Sequence, residues 1–196
     1  MTRKATITRK TAETEITLTL DLDGSGQHTV ETGLGFLDHM LNHIAKHGVF
    51  DLDVKATGDL HVDQHHTIED CAIVLGEAFT QALGEKAGLV RAGSAYMPLD
   101  EALAFAAVDL SGRPYAALDL KLLGREVGGL PPDLFDHFLQ SFAVAANANI
   151  HVRTVVGTND HHKIEACFKA LARALDAATR IDSRRKGDLP STKGTL

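Results

Sequence analysis

The sequence predicts an α+β protein built as a tandem duplication of a βββαβα half-domain, with helices packed on one face of mixed sheets. Three ordered matches carry that reading. His65-His66-Thr67-Ile68-Glu69-Asp70-Cys71 returns as His161-His162-Lys163-Ile164-Glu165-Ala166-Cys167, and Phe36-Leu37-Asp38-His39 returns as Phe135 flanked by Leu134, Asp136 and His137. Asp53-Val54-Lys55 aligns with His151-Val152-Arg153, and the offsets are 96, 98 and 98 residues. A constant spacing over half a chain is the mark of an internal repeat. It divides the sequence into residues 1–90, residues 91–183 and a cationic tail, 184–196.

Each element follows from local pattern. Thr14–Leu22 alternates polar and apolar residues, the period of a half-buried strand, and Asp23-Gly24-Ser25-Gly26 signals a turn after it. Leu34, Leu37, Leu41 and Ile44 recur at helical spacing through Leu34–His47, with Gly48 as the stop. Asp51–Ala56 alternates again. Ile68, Ala72, Leu75, Phe79 and Leu83 then form one stripe over His65–Leu83, which Gly84 ends. The second copy gives strands near Ala92–Pro98, Ala102–Leu110 and Tyr115–Leu122, and a helix near Leu134–Ala146 behind Pro131-Pro132. A strand at Asn149–Val156 and a helix at His161–Thr179 complete it. The glycines of Gly33-Leu34-Gly35-Phe36 and Val127-Gly128-Gly129 read as loops, since neither matches a nucleotide-binding fingerprint.

Composition narrows the function classes. Of 196 residues, 44% are hydrophobic and 23% charged, an ordinary balance for a chain that buries a core. The net charge of −6 argues against a general nucleic-acid surface. Cys71 and Cys167 make no CxxC pair and read as small core residues. With no apolar leader in MTRKATITRK and no membrane-length apolar run, a cytoplasmic location is expected.

The eleven histidines are where chemistry concentrates. Successive helical residues turn by ~100°, so His65 and Glu69 share a face while His66 points away. Adjacent helical histidines therefore suit two cations, or one cation and a substrate, better than one shared ion. His161, His162 and Glu165 repeat the pattern, and His39 and His137 add two imidazoles. Six histidines and two glutamates suffice for two sites of three imidazoles and one carboxylate, suited to divalent transition metals. His43 and His47 follow His39 on one helical face and are candidate contacts to a ligating side chain or to substrate. His28, His61 and His151 lack repeated partners and default to surface or strand positions, and Asp21, Asp23 and Asp109 read as turn residues. The tail concentrates cations, and Ser191 and Lys193 suit a phosphate. Two readings stand on these residues alone: a dinuclear metallohydrolase of a phosphate ester, and a non-catalytic metal-binding protein.

Gly35-Phe36-Leu37-Asp38-His39-Met40-Leu41, Asp63-Gln64-His65-His66-Thr67-Ile68-Glu69-Asp70, Asp109-Leu110-Ser111-Gly112-Arg113-Pro114, Asp160-His161-His162-Lys163-Ile164-Glu165-Ala166 and Pro190-Ser191-Thr192-Lys193-Gly194 together resemble the imidazoleglycerol-phosphate dehydratases, in their single-activity form. The resemblance implies left-handed βαβ crossovers, a large octahedral homo-oligomer with active sites at subunit interfaces, and two divalent cations per site, manganese by family. It assigns His39, His66, His162 and Glu165 to one cation and His65, Glu69, His137 and His161 to the other. Glu13 would be an acid–base group, with Glu165 a ligand and candidate base. Arg91, Arg113, Lys169, Ser191 and Lys193 would hold the substrate phosphate, and His43 a substrate contact that is glutamine in some relatives. The implied reaction dehydrates imidazole glycerol phosphate to imidazole acetol phosphate in histidine biosynthesis, through an imidazolate and a diazafulvene-like intermediate.

Overall fold

The computed structural model describes residues 3–195. The first half runs β1 (Lys4–Lys10), β2 (Thr14–Asp21), β3 (His28–Glu31), α1 (Gly35–Gly48), β4 (Asp51–Gly58) and α2 (His65–Leu83). The second runs β5 (Ala92–Leu99), β6 (Ala102–Asp109), β7 (Tyr115–Asp119), α3 (Asp133–Ala145), β8 (Asn149–Val156) and α4 (Asp160–Thr179). The βββαβα order repeats, as the sequence predicts. Strands β1 and β3 lack a pattern of their own in the sequence; the repeat requires them.

Two four-stranded mixed sheets result, ordered β1-β2-β4-β3 and β5-β6-β8-β7. In each, two antiparallel pairings are followed by one parallel pairing, β3 with β4 and β7 with β8. Helices α1 and α3 are the crossovers that those parallel pairs require. The copies differ most where β7 leads to α3: residues 120–132 connect them, against 32–34 between β3 and α1. This ten-residue excess is why the hairpins repeat at an offset of 88 (Lys4↔Asp21 against Ala92↔Asp109) while later elements repeat at 96 to 98.

The helices meet across the halves. Helix α2 covers β1, β2 and β4 and packs on α3; α4 covers β5, β6 and β8 and packs on α1. Both sheets therefore turn one face to a shared helical layer. Ile16, Leu18 and Leu20 on β2, and Ala104 and Ala106 on β6, are wholly buried beneath it. Each buried aliphatic side chain of leucine size contributes ~1.5–3 kcal/mol. The small residues of β6 and Gly93 on β5 let α4 sit close: a Cβ on Gly93 would lie 2.3 Å from the Ala174 carbonyl oxygen.

Two local readings change. Gly35 and Phe36 open α1 instead of lying in a loop. Gly48 is the last residue of α1, and the left-handed cap is Val49, with φ 59°. Glycine is needed at 48 because a Cβ there would meet the Phe50 ring at 2.3 Å.

Gly76 sits where α2 crosses α3, and a Cβ there would lie 2.6 Å from Ala145 Cβ and 2.8 Å from the Phe142 carbonyl oxygen. Helix propensity favours alanine over glycine by ~1 kcal/mol. Overpacking at a fixed crossing costs about 1–3 kcal/mol. Gly76→Ala is therefore expected to lower the denaturant midpoint at unchanged slope; a rise would show that the crossing relaxes freely.

Candidate metal and substrate site

The cross-half helix pairs build two clusters. His39 comes from the first turns of α1, and His161 and Glu165 from the first turns of α4. His39 Nε2 lies 3.1 Å and His161 Nε2 3.4 Å from Glu165 Oε2. His43 Nε2 lies 3.3 Å from the other oxygen, and Lys169 Nζ is 2.5 Å from it. The second cluster is the repeat-related counterpart. His65 Nε2 is 3.7 Å from Glu69 Oε2, and His137 Nε2, from α3, is 3.3 Å from Glu69 Oε1. The i, i+4 pairing of each histidine with its glutamate is what helical periodicity requires. Donor atoms of His39, His43 and Glu165, and of His65, Glu69 and His137, converge closely enough to share an ion. His137 Nε2 is buried with no hydrogen-bond partner among the described residues, an arrangement that a cation would complete.

His66 and His162 stand outside both clusters. His66 Nδ1 lies 3.1 Å from Asp59 Oδ1, and His162 Nδ1 2.7 Å from Glu101 Oε2. Each bond raises its histidine's affinity for a proton. Glu101 is held at about 2 by the His162 ring and the Asn159 and Thr158 amides. Glu13, exposed at the β1–β2 turn, has Oε1 3.8 Å from His66 Nε2. Helix α4 begins with Asn159 Oδ1 accepting from the amides of His161 and His162, which fixes the start of the motif.

Arg91, Ser191 and Lys193 gather elsewhere. Arg91 donates from Nε and Nη2 to both oxygens of Asp109, at 2.7 and 2.9 Å, and from Nη1 to the Pro190 carbonyl at 2.7 Å. Asp109 is thus an ion-pair partner as well as a strand end. The Arg91–Pro190 bond folds this part of the tail against the start of β5, and within the tail the Ser191 hydroxyl accepts from the Lys193 amide. Arg113 is exposed on the turn after β6, its carbonyl accepting from Asn149. The Arg91 amide donates to the Ala178 carbonyl, at the far end of α4 from His161. Seventeen residues of helix separate those two points, or about 26 Å. Of these five residues, Lys169 alone lies at a histidine cluster.

Sequence reading did not single out Asp59 or Glu101. Glu101 is the counterpart of Glu13 in the hairpin register, an equivalence hidden by the different offset of the hairpins. Asp59 has no acidic counterpart: the position 98 residues on is Gly157. The thiols of Cys71 and Cys167 are pushed up to about 12 by burial and are core residues.

A duplicated α+β chain with two cross-half imidazole–carboxylate clusters defines the class: a scaffold whose paired helices carry candidate metal-binding groups. The family model for imidazoleglycerol-phosphate dehydratase matches residues 32–175. The dehydratase of Roseiflexus sp. is 59% identical over 195 residues, 100% of this chain and 98% of that one. That of Acetivibrio thermocellus is 54% identical over the full length of both. Among solved structures, the Staphylococcus aureus dehydratase aligns with a TM-score of 0.83 at 34% identity, covering 91% of this chain and 99% of that one. The Pyrococcus furiosus enzyme in complex with (S)-C348 aligns at 0.84 and 37%, covering 97% and 100%. The chain belongs to the imidazoleglycerol-phosphate dehydratase family, the hydro-lyases of histidine biosynthesis.

The first cluster sets a pH dependence in metal-free protein. Burial pushes His43 down to about 4, against the pull of Glu165. Burial alone would raise Glu165, but hydrogen bonds from Lys169 and His39 outweigh it and hold it at about 2. Between pH 6.5 and 4 the unfolded chain protonates His43 first, so stability falls as pH falls. The stability that Glu165 contributes is fully present above about pH 4.5 and is lost as pH falls through about 2. Chemical unfolding at stepped pH is expected to show both limbs, and His43→Gln should flatten only the first.

Proposed function

We propose that the chain dehydrates imidazole glycerol phosphate to imidazole acetol phosphate with two divalent cations per site, manganese by family, held by His39, His65, His66, Glu69, His137, His161, His162 and Glu165. The observation that carries this reading is the pair of repeat-related clusters, each with imidazole nitrogens converging on one carboxylate. Imidazole and carboxylate donors fit first-row divalent metals. Bound there, such cations act as Lewis acids that stabilise negative charge on the substrate's ring.

The chain's own residues handle protons and position. Dehydration takes hydrogen from one carbon and hydroxide from its neighbour, and the resulting enol tautomerises to the ketone. Glu13 has the exposure a proton carrier needs and stands beside His66. Lys169 keeps Glu165 ionised, as a ligand and candidate base must be. Arg91, Arg113, Ser191 and Lys193, with Lys169, form the phosphate grip. Asp109 takes two of the Arg91 donors and Pro190 a third, so the guanidinium is set in orientation before any anion arrives.

We further propose that no chain works alone. A substrate whose imidazole ring and phosphate are joined by three carbons cannot reach from His161 to Arg91 along the length of α4, and His66 and His162 stand outside both clusters of their own chain. Active sites at interfaces of a large octahedral homo-oligomer meet both constraints, with residues 1–90 and 91–183 as the two copies and 184–196 as the cationic tail. No helix among the described residues is long and apolar enough to cross a membrane; the reading takes the enzyme as cytoplasmic.

Two measurements test this. Glu13→Gln should keep cation content and solution mass while turnover falls on the order of 10²–10⁴-fold, the usual worth of a general acid–base group; wild-type turnover removes Glu13 from the mechanism. Chelation should lower the solution mass together with ketone formation, since ligands shared between copies tie metal to assembly. A fully assembled chelated protein counts against shared ligation.

A further inference from the structure

His66 and His162 are the two repeated histidines that touch no cluster of their own chain, and both are held by the same nitrogen. Glu101 Oε2 faces His162 Nδ1 at 2.7 Å, while Glu101 Oε1 accepts from the Thr158 amide at 3.1 Å and the Asn159 amide at 2.8 Å. Asp59 faces His66 Nδ1 with both oxygens, at 3.1 and 3.2 Å. A carboxylate oxygen only accepts, so Nδ1 must carry the hydrogen in each ring. In the neutral ring the lone pair then lies on Nε2, which points away from the holding carboxylate. His162 Nε2 has Asp100 as its nearest acid, at 3.8 Å, and His66 Nε2 has Glu13 at the same distance.

We propose that Glu101 and Asp59 are positioning residues that fix the Nε2-ligating tautomer and the ring direction of His162 and His66, so that both present a ready donor to a divalent cation. Carboxylate–imidazole–metal arrangements gain ligand basicity and fixed geometry in this way. The inference rests on the reading of His66 and His162 as cation ligands. It also accounts for the unequal fates of the two hairpin glutamates. Glu13 and Glu101 occupy equivalent turns, but Glu101 has both oxygens engaged by the start of α4 and by His162. Among the described residues Glu13 makes no such bonds from its carboxylate; Asp59 does the holding in the first half. The duplicated chain thus keeps one glutamate free for proton transfer and commits the other to orientation.

Glu101→Gln discriminates this role from a purely structural one. The glutamine carbonyl can still accept from the Thr158 and Asn159 amides, so the turn stays capped. Its NH₂ then faces Nδ1 and forces the hydrogen of a neutral His162 ring onto Nε2. The expected result in full-length metal-free protein is an unchanged melting temperature, with the His162 ¹⁵N–¹H correlations switching to the other tautomer. Manganese alone, titrated into that protein, should bind on the order of 10–100-fold more weakly at one class of site. Asp59→Asn should do the same at His66. Unchanged manganese affinity in Glu101→Gln, where His162→Ala does weaken binding, overturns the positioning role. Unchanged affinity in both variants overturns the ligand assignment beneath it.

Discussion

The structure depends on the crossing of helices between the two halves. Packing α1 on α4 and α2 on α3 brings His39 to the Glu165 carboxylate and His137 to that of Glu69. Neither half holds a complete cluster, because the Asp-His helix and the HHxxE helix of one copy face away from each other and toward the opposite copy. The close fit that sets this crossing is visible at Gly76, where the Phe142 carbonyl and Ala145 leave no room for a side chain. Geometry at the site is therefore inherited from apolar packing a few turns further along the same helices.

Charge is arranged around that geometry in two ways. Glu165 is buried, yet Lys169 and the ring of His39 keep it ionised. The cost of burying a carboxylate is offset by a cation and hydrogen bonds within the same cluster. Outside the clusters, the order reverses: carboxylates serve histidines, with Glu101 and Asp59 each bonded to an Nδ1. Arg91 shows the same economy, its backbone in the left-handed region at φ 76° and its guanidinium gripped by Asp109.

Much of this was legible in the sequence, for definable reasons. Helix α2 and strand β8 have the limits their patterns predict, because Gly84 and the alternation of Asn149–Val156 are strong local signals. The repeat predicted the strand count even where β1 and β3 are locally weak. Helical periodicity correctly joined His65 to Glu69 and separated His66 from them. It could not say that His39 meets α4 instead of α2, since that choice is made by tertiary packing. Glu101 and Asp59 were invisible for a different reason: a ten-residue insertion shifts the hairpin register against the helices, and Asp59 has Gly157 for its counterpart.

The duplication also leaves its two sites free to diverge. An ancestral half acting in identical pairs would have made two indistinguishable cages, each bound to change whenever the other did. Here His43 and Lys169 flank one cage, while the matching places at the other hold Ser141 and Ile73. Joining the halves in one polypeptide lets one cluster keep a lysine neighbour where the other has an isoleucine, a difference that two identical halves could not hold.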